Sequence, residues 1–325
     1  MVDLKVADRE LLGLLQSAFP LAVQPYADLG RKLGISGDEI VRRIQELKAQ
    51  GILRQIGPVL DARKLGYRST LVAMKISPEK LERAEEIIRE HPGVSHGYER
   101  GHDFNVWITL SIHGRQDIEA EVKKLASAVG AQPAMSLPVV KVFKLRAFFG
   151  ADSETPEPDA KGAAPSDRVE LSAGDKAVIN EIQQDLALVN EPFNAMASRL
   201  GMETGEFLEN CRSLLQRGII RRYGAAVNHT KAGYKANAMA CWVVPAGKVD
   251  MAGQKLASWR EVSHCYERKT TNPLWRYNLF AMIHGQIRTD CEKIVEQVSN
   301  ETGLNEHVTL FSTREFKKVR VKYSV

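Results

Sequence analysis

The chain reads as an α+β protein written twice, each copy a three-helix unit followed by a βαββαβ unit, and three observations predict it. VSHGYER at 94–100 returns as VSHCYER at 262–268. Asp8, Gly34, Gly51, Gly57 and Lys64-Leu65-Gly66-Tyr67 reappear 167 residues later as Asp175, Gly201, Gly218, Gly224 and Lys231-Ala232-Gly233-Tyr234. The stretch between the copies, GADSETPEPDAKGAAPSD at 150–167, has the Pro, Gly and acid content of a linker.

The order of elements is legible within each copy. Apolar residues fall at helical spacing over 8–17, 25–33 and 37–50, as in DEIVRRIQELKAQG, where Ile40, Ile44 and Leu47 share a face and Gly51 stops the helix. These predict a helix-turn-helix. GILRQIG and STLVAMKI read as strands, PEKLERAEEIIREH as an amphipathic helix, and VSHGYER and FNVWITLSIH as two more strands. A helix across 115–129 and a strand near LPVVKVFKL complete the ferredoxin-like βαββαβ pattern. Its antiparallel sheet is expected to turn one face to helices and leave the other for a partner. The expected domains are residues 1–60 and 168–227 as helix-turn-helix units, and 61–149 and 228–325 as ferredoxin-like ligand domains, joined by the linker at 150–167.

Composition excludes several classes. With 325 residues, 44% hydrophobic and 26% charged, the chain has ordinary globular character and enough length for several packed domains. No apolar run is long enough to span a bilayer, and MVDLKVADRE lacks the order of a signal peptide, so no membrane role and a cytoplasmic location are expected. Cys211, Cys241, Cys265 and Cys291 form no CxxC pair, which argues against both a zinc site and a disulfide framework. A net charge of +5 suits an anionic partner without choosing between nucleic acid and a small polyanion.

Alternation along the repeated strand places His96, Tyr98 and Arg100 on one face and Gly97 and Glu99 on the other, and likewise His264, Tyr266 and Arg268. A histidine, a phenol and a guanidinium in one row are costly against an apolar layer and suit a polar ligand. Arginine grips carboxylates through paired donors, and histidine moves protons or ligates iron. A lone strand histidine is more often structural, and duplication copies every residue. Yet the polar set is retained while Gly97 and Cys265 differ.

The element order, together with LGISGDEIVRRIQELKAQGILRQIG and LGMETGEFLENCRSLLQRGIIRRYG, resembles the Lrp/AsnC family of regulators, which pair through their βαββαβ domains. That implies two halves paired within one chain as a pseudo-two-fold dimer. VSHGYERGHDFNVWITL and VSHCYERKTTNPLWRYNLFAMIHG resemble more closely the two paired subunit types of the siroheme decarboxylase family, with RKLGYRSTLVAMKI, NHTKAGYKANAMACWVVP and FSTREFKKVRVKY in support. This resemblance implies loss of carbon dioxide from the C12 and C18 acetates of siroheme to give 12,18-didecarboxysiroheme, in haem d1 or alternative haem biosynthesis, with no cofactor beyond the iron tetrapyrrole itself. It implies His96 and His102 as catalytic candidates, either of them an axial contact to the substrate iron. Tyr98, Arg100, Trp107, His264, Tyr266 and Arg268 become candidates for binding siroheme and its decarboxylated products, and Phe104, Trp275 and Tyr277 for flanking the macrocycle. His113 and His284 stand behind these.

The copies diverge after the arginine. GHDFNVW carries His102, whereas KTTNPLWRYN is three residues longer before the shared IHG and carries no histidine. The first half is therefore expected to hold the active site and the second to close or support it. Two rival functions remain, a transcription regulator sensing haem or an amino acid, and a haem or siroheme carrier without chemistry. Arg42, Arg43 and Lys48 would suit phosphates, but Glu203, Glu206 and Glu209 oppose them in the second copy, so DNA binding is not expected.

Overall fold

The computed structural model describes residues 6–17, 19–145, 169–228, 231 and 236–325. The linker at 150–167 and Ala232, Gly233 and Tyr234 lie outside the described residues. The first half runs α1 (Val6–Ser17), α2 (Pro25–Leu33), α3 (Gly37–Ala49), β1 (Leu53–Leu60), β2 (Tyr67–Met74), α4 (Leu81–Glu90), β3 (Val94–Arg100), β4 (Val106–His113), α5 (Ile118–Ala128) and β5 (Ala134–Leu145). The second runs α6 (Ala173–Ile182), α7 (Asn194–Arg199), α8 (Thr204–Gln216), β6 (Ile220–Val227), β7 (Ala236–Trp242), α9 (Val249–Ser258), β8 (Val262–Arg268), β9 (Leu279–Gly285), α10 (Arg288–Thr302) and β10 (His307–Lys318).

The two helical units share one core. Leu11, Leu15, Ile40 and Ile44 of the first pack in the same cluster as Val178, Ile182, Phe207 and Leu214 of the second, all at 0% exposure. β1 pairs antiparallel with β6, so each half supplies one strand of a ribbon between them. Gly51 and Gly218, at φ near +68° and +66°, end the turns after α3 and α8, where a side chain would be strained. The landmark lysines cross over there. Lys64 Nζ donates to Arg217 O, and Lys231 Nζ to Gln50 O at 2.9 Å, so each lysine satisfies a carbonyl at the end of the other half's helix.

Among the described residues, the remaining strands close into an eight-stranded barrel in the order β10-β3-β4-β2-β5-β8-β9-β7. Each half contributes a four-stranded ferredoxin-like sheet, and the seams β5–β8 and β10–β3 join the halves. Strand pairing at both seams removes the free edges and turns the sheet faces expected to meet a partner into a barrel lumen. Helices α4 and α5 cover one outer wall and α9 and α10 the other. A fourth cluster, including Ala73, Trp107, Met135, Met239, Cys241 and Phe280, fills part of the interior. No helix among the described residues is long and apolar enough to cross a membrane.

Candidate active site

The repeated strands β3 and β8 carry their polar row into the barrel. Tyr98 pairs with Trp107 and Tyr266 with Phe280, both interior residues. Gly97 points the other way, where an added Cβ would stand 3.0 Å from Ile88 Cγ2, and Cys265 directs its thiol toward Gly253 O on α9. The one difference between the motifs is thus a packing adjustment beneath the helices. Each strand also bulges between its valine and its histidine, at Val94/His96 and Val262/His264. A bulge breaks alternation and re-aims side chains. Accordingly Ser95 Oγ meets His96 Nδ1 at 2.9 Å and Ser263 Oγ meets His264 Nδ1 at 2.7 Å.

His96 and His264 belong to one electrostatic site. Burial holds the His96 imidazole near 3, with contributions from Lys318, His264 and Arg54, and holds His264 near 4, with contributions from Lys318, Arg268, Lys144 and Arg222. Both rings are neutral at pH 7, with Nδ1 engaged by serine and Nε2 left as the nitrogen that can meet a ligand. They lie at the barrel end that faces the β1–β6 ribbon. Lys318 is the cross-strand neighbour of His96, while Leu145 holds the matching place beside His264. Arg54 of β1 donates to Lys318 O and pairs with Glu315 at 2.8 Å, and burial brings the Lys318 ammonium down to about 8. The helical units therefore wall this mouth and add cations to it.

Arg100 and Arg268 do something other than face an open carboxylate site. Arg100 is 3% exposed and donates from a terminal nitrogen to Leu310 O of the second half, and Arg268 donates to Leu137 O of the first, each at 2.8 Å. Their guanidinium carbons sit 5.4 and 4.9 Å from the Tyr98 and Tyr266 ring centres. Burial lowers both toward about 10 and leaves each Nε without a hydrogen-bond partner. As built each is a reciprocal pin across a seam, with its Nε uncommitted inside the barrel.

His102 is separated from His96. It follows Arg100, whose backbone N–H bonds Asn105 O, and lies at the end of the barrel away from the ribbon. There its ring sits 5.7 Å from Trp275 and 6.3 Å from Phe104, with Nδ1 accepting from Phe104 N, and burial lowers its pKa. Trp275 is 2% exposed and packs 5.0 Å from Trp107 and 4.9 Å from Tyr277. The longer second loop thus delivers a plug. Phe104, Trp107 and Trp275 fill this end of the barrel against one another, rather than presenting a free wall to a macrocycle. The shared IHG also misleads, since the register sets His284 opposite Asn237 as Ser111 stands opposite Ser69, so His284 corresponds to Ser111 and not to His113. His113 stacks edge-on with Tyr67 at 5.3 Å instead.

Lys318, Arg54, Arg222 and the two serines were not singled out by the sequence. The serines stood in view within VSH, but only the bulge turns them to the histidines. The surface hollows along α10, about 250 and 430 Å³, lie on the outer helical side and contain none of the row.

Comparison with known proteins agrees with this geometry. Models of the siroheme decarboxylase NirDL-like HTH domain match residues 8–54 and 175–221, and of the AsnC-like ligand binding domain residues 64–144 and 231–317. A siroheme decarboxylase from Hydrogenobacter thermophilus is 38% identical over 97% of this chain and 94% of its own. This chain belongs to the siroheme decarboxylase family. A crystal structure of the siroheme decarboxylase NirDL superposes with a TM-score of 0.73 at 36% identity, covering 98% of this chain and 94% of that one. A second, solved with an iron-uroporphyrin III analogue, gives 0.72 at 35% identity over 98% and 95%. In Desulfovibrio desulfuricans the siroheme decarboxylase alpha and beta subunits are separate, 37% and 36% identical over 48% and 47% of this chain and 89% and 97% of their own. Here both siroheme decarboxylase halves share one polypeptide and pair with each other.

Proposed function

We propose that this chain is a carboxy-lyase that removes carbon dioxide from the C12 and C18 acetates of siroheme, giving 12,18-didecarboxysiroheme for haem d1 or alternative haem biosynthesis. The observation that carries the reading is the pair of neutral, serine-anchored histidines, His96 and His264, at a barrel mouth surrounded by Lys318, Arg54 and Arg222. Cations at the rim suit a macrocycle with many carboxylates. A neutral imidazole with a fixed Nδ1 suits axial contact to iron through Nε2, and that role falls to His96. Tyr98 and Tyr266 lie deeper along the same rows.

Loss of carbon dioxide disperses the acetate charge and leaves the electron pair on the methylene carbon until a proton arrives. Partial burial favours the first change and a positioned imidazole supplies the second. The reaction needs no cofactor beyond the substrate. His102, at the far end of the barrel, has no part in this reading.

Neither rival is favoured by an observation. On α3, Arg42 pairs with Glu39 and Glu46, Arg43 with Glu39 and Asp8, and Lys48 with Asp185 of the other half at 2.6 Å. Cations held by neighbouring acids make a poor phosphate-binding face, and little DNA affinity is expected. The test is anaerobic incubation with siroheme followed by mass spectrometry of the tetrapyrrole. Two successive losses of carbon dioxide are expected, abolished in a His96→Ala, His264→Ala variant. Tight binding with unchanged mass would instead make the protein a carrier.

A further inference from the structure

Beyond β10, residues 319–325 have no regular secondary structure, yet they are bonded to four separate elements. Val319 N donates to Ser95 O at 2.8 Å, beside His96 on β3. Arg320 Nη2 donates to Gly224 O on β6 at 3.0 Å. At Gln183, which caps α6, Tyr323 N donates to the side-chain oxygen at 2.7 Å and Tyr323 O accepts from the side-chain nitrogen at 2.9 Å. Tyr67, at the start of β2, packs its ring 4.8 Å from that of Tyr323, and its hydroxyl accepts from Ser324 N at 3.0 Å and donates to Ser324 O at 3.1 Å. One short segment thus ties the helical body to the barrel on the His96 side of the mouth.

This strap is lightly held. Val319 is 49% exposed, Lys322 and Ser324 are exposed, and Tyr323 and Val325 are the residues that lean on the helical core. Few buried apolar contacts and hydrogen bonds within reach of water mark a segment that opens well before the fold does. Substrate access gives it a reason to open. His96 and His264 are mostly buried, and that burial is the main cause of their low pKa. A flat macrocycle reaches a ring nitrogen there when the ribbon and the barrel part, and residues 319–325 hold the two together.

The segment also carries the charge to respond to such a ligand. Lys317, Lys318, Arg320 and Lys322 fall within six residues. Arg320 Nη1 is buried without a hydrogen-bond partner, in the space that Gly57 leaves, where an added Cβ would stand 3.1 Å away. The closed state therefore leaves one charged donor idle. A carboxylate supplies what that donor lacks, and a ligand shifts an equilibrium toward the state that it contacts better.

Resting on the siroheme decarboxylase reading, we propose that residues 319–325 are a latch on the mouth and that the iron tetrapyrrole binds by releasing it, one of its carboxylates replacing Gly224 O on the Arg320 guanidinium. Closed, the latch holds the ribbon to the barrel over the two histidines. Open, it frees the Val319, Tyr323 and Ser324 amides to water and gives Arg320 to the substrate.

The test follows binding rather than turnover. Stopped-flow visible absorbance gives the on- and off-rates of siroheme, and of iron uroporphyrin III as a second polycarboxylate, on the whole chain, and amide hydrogen exchange reports the state of 319–325. Gln183→Ala and Tyr67→Phe weaken the latch without touching the histidine row. Each is expected to raise the on-rate about fivefold with the off-rate unchanged, because the open fraction scales the apparent affinity. Arg320→Gln is expected to raise the off-rate about tenfold. In the wild type, saturation with siroheme should speed exchange in 319–325 while β3 and β4 stay protected, the reverse of what a ligand does to a segment it covers. A purely structural role would lower the melting temperature of the variants and leave the on-rate at the wild-type value. That result, or slower exchange of 319–325 on binding, overturns the latch; if Gln183→Ala does not fold, Tyr67→Phe decides alone. Siroheme bound with these signatures but left undecarboxylated overturns the decarboxylase reading only, whereas a wild type that takes up neither tetrapyrrole overturns both.

Discussion

The strands VSHGYER and VSHCYER fold alike and end in different company. Both bulge after valine, both bring a serine to a histidine, and both send an arginine across a seam to the other half's backbone. What surrounds them differs. His96 has Lys318 beside it and His264 has Leu145; Ser95 has no counterpart of the Ser263–His284 contact; and the loop after Arg268 carries a tryptophan plug. The shared part of a duplicated motif closes the barrel, and the divergent part distinguishes one histidine from the other. Retention of a motif in both copies is thus weak evidence for catalysis by either.

The largest effect expected from breaking this comparison is on turnover. His96→Ala and His264→Ala should each lower the decarboxylation rate by about 10²–10⁴-fold. The two should differ in kind. Loss of His96 is expected to change the visible spectrum of bound siroheme, and loss of His264 to leave that spectrum unchanged while the proton step slows. Identical spectra for both variants would mean that the copies act alike.

Stability gives the next contrast. Trp275→Ala empties a buried site against Trp107 and Phe104 and should cost about 3–5 kcal/mol in denaturant unfolding. Leu274→Ala, at 61% exposure one residue earlier, should stay within about 0.5 kcal/mol. The two arginine pins come after these. Arg100→Met and Arg268→Met each remove one bond across a seam and strip one carbonyl of its donor, a loss of about 1–3 kcal/mol. Arg100 should show the larger loss, since it is the more deeply buried. Equal losses would show that the second seam is as well sealed as the first.

Much of this was legible in the sequence, and the remainder has identifiable physical causes. Helical periodicity located α3 and α8, and alternation put His96, Tyr98 and Arg100 on one face, because both signals depend on local geometry. Barrel closure was not legible, since it depends on β5 meeting β8 and β10 meeting β3, pairings that no local pattern records. For the same reason the arginines read as clamps. Their acceptors, Leu310 O and Leu137 O, are backbone atoms more than a hundred residues away. His102 and His96 are not brought together, because residues close in sequence along an extended strand lie far apart, about 3.3 Å per residue. Lys318 was hidden by its position at the end of the last strand, where only the seam with β3 gives it a histidine for a neighbour.

Lys318 offers the smallest and most selective test of the asymmetry. Lys318→Leu would give His96 the neighbour that His264 already has. Burial remains the main cause of the low histidine values, so both imidazoles should rise without reaching their ordinary 6.5. The sign for stability follows from proton counting. Between about 6.5 and the folded values near 3 and 4, the unfolded chain binds protons that the folded chain refuses, so stability is lost as pH falls through that window. Raising the folded values narrows the window, and acid unfolding curves of Lys318→Leu should be shallower than those of the wild type. Siroheme affinity at neutral pH should fall by about fivefold, roughly 1 kcal/mol, as expected for one partly solvated cation facing a carboxylate. An unchanged affinity with a shallower acid curve would place Lys318 against the histidines alone, and leave Arg54 and Arg222 of the ribbon as the cations that meet the macrocycle.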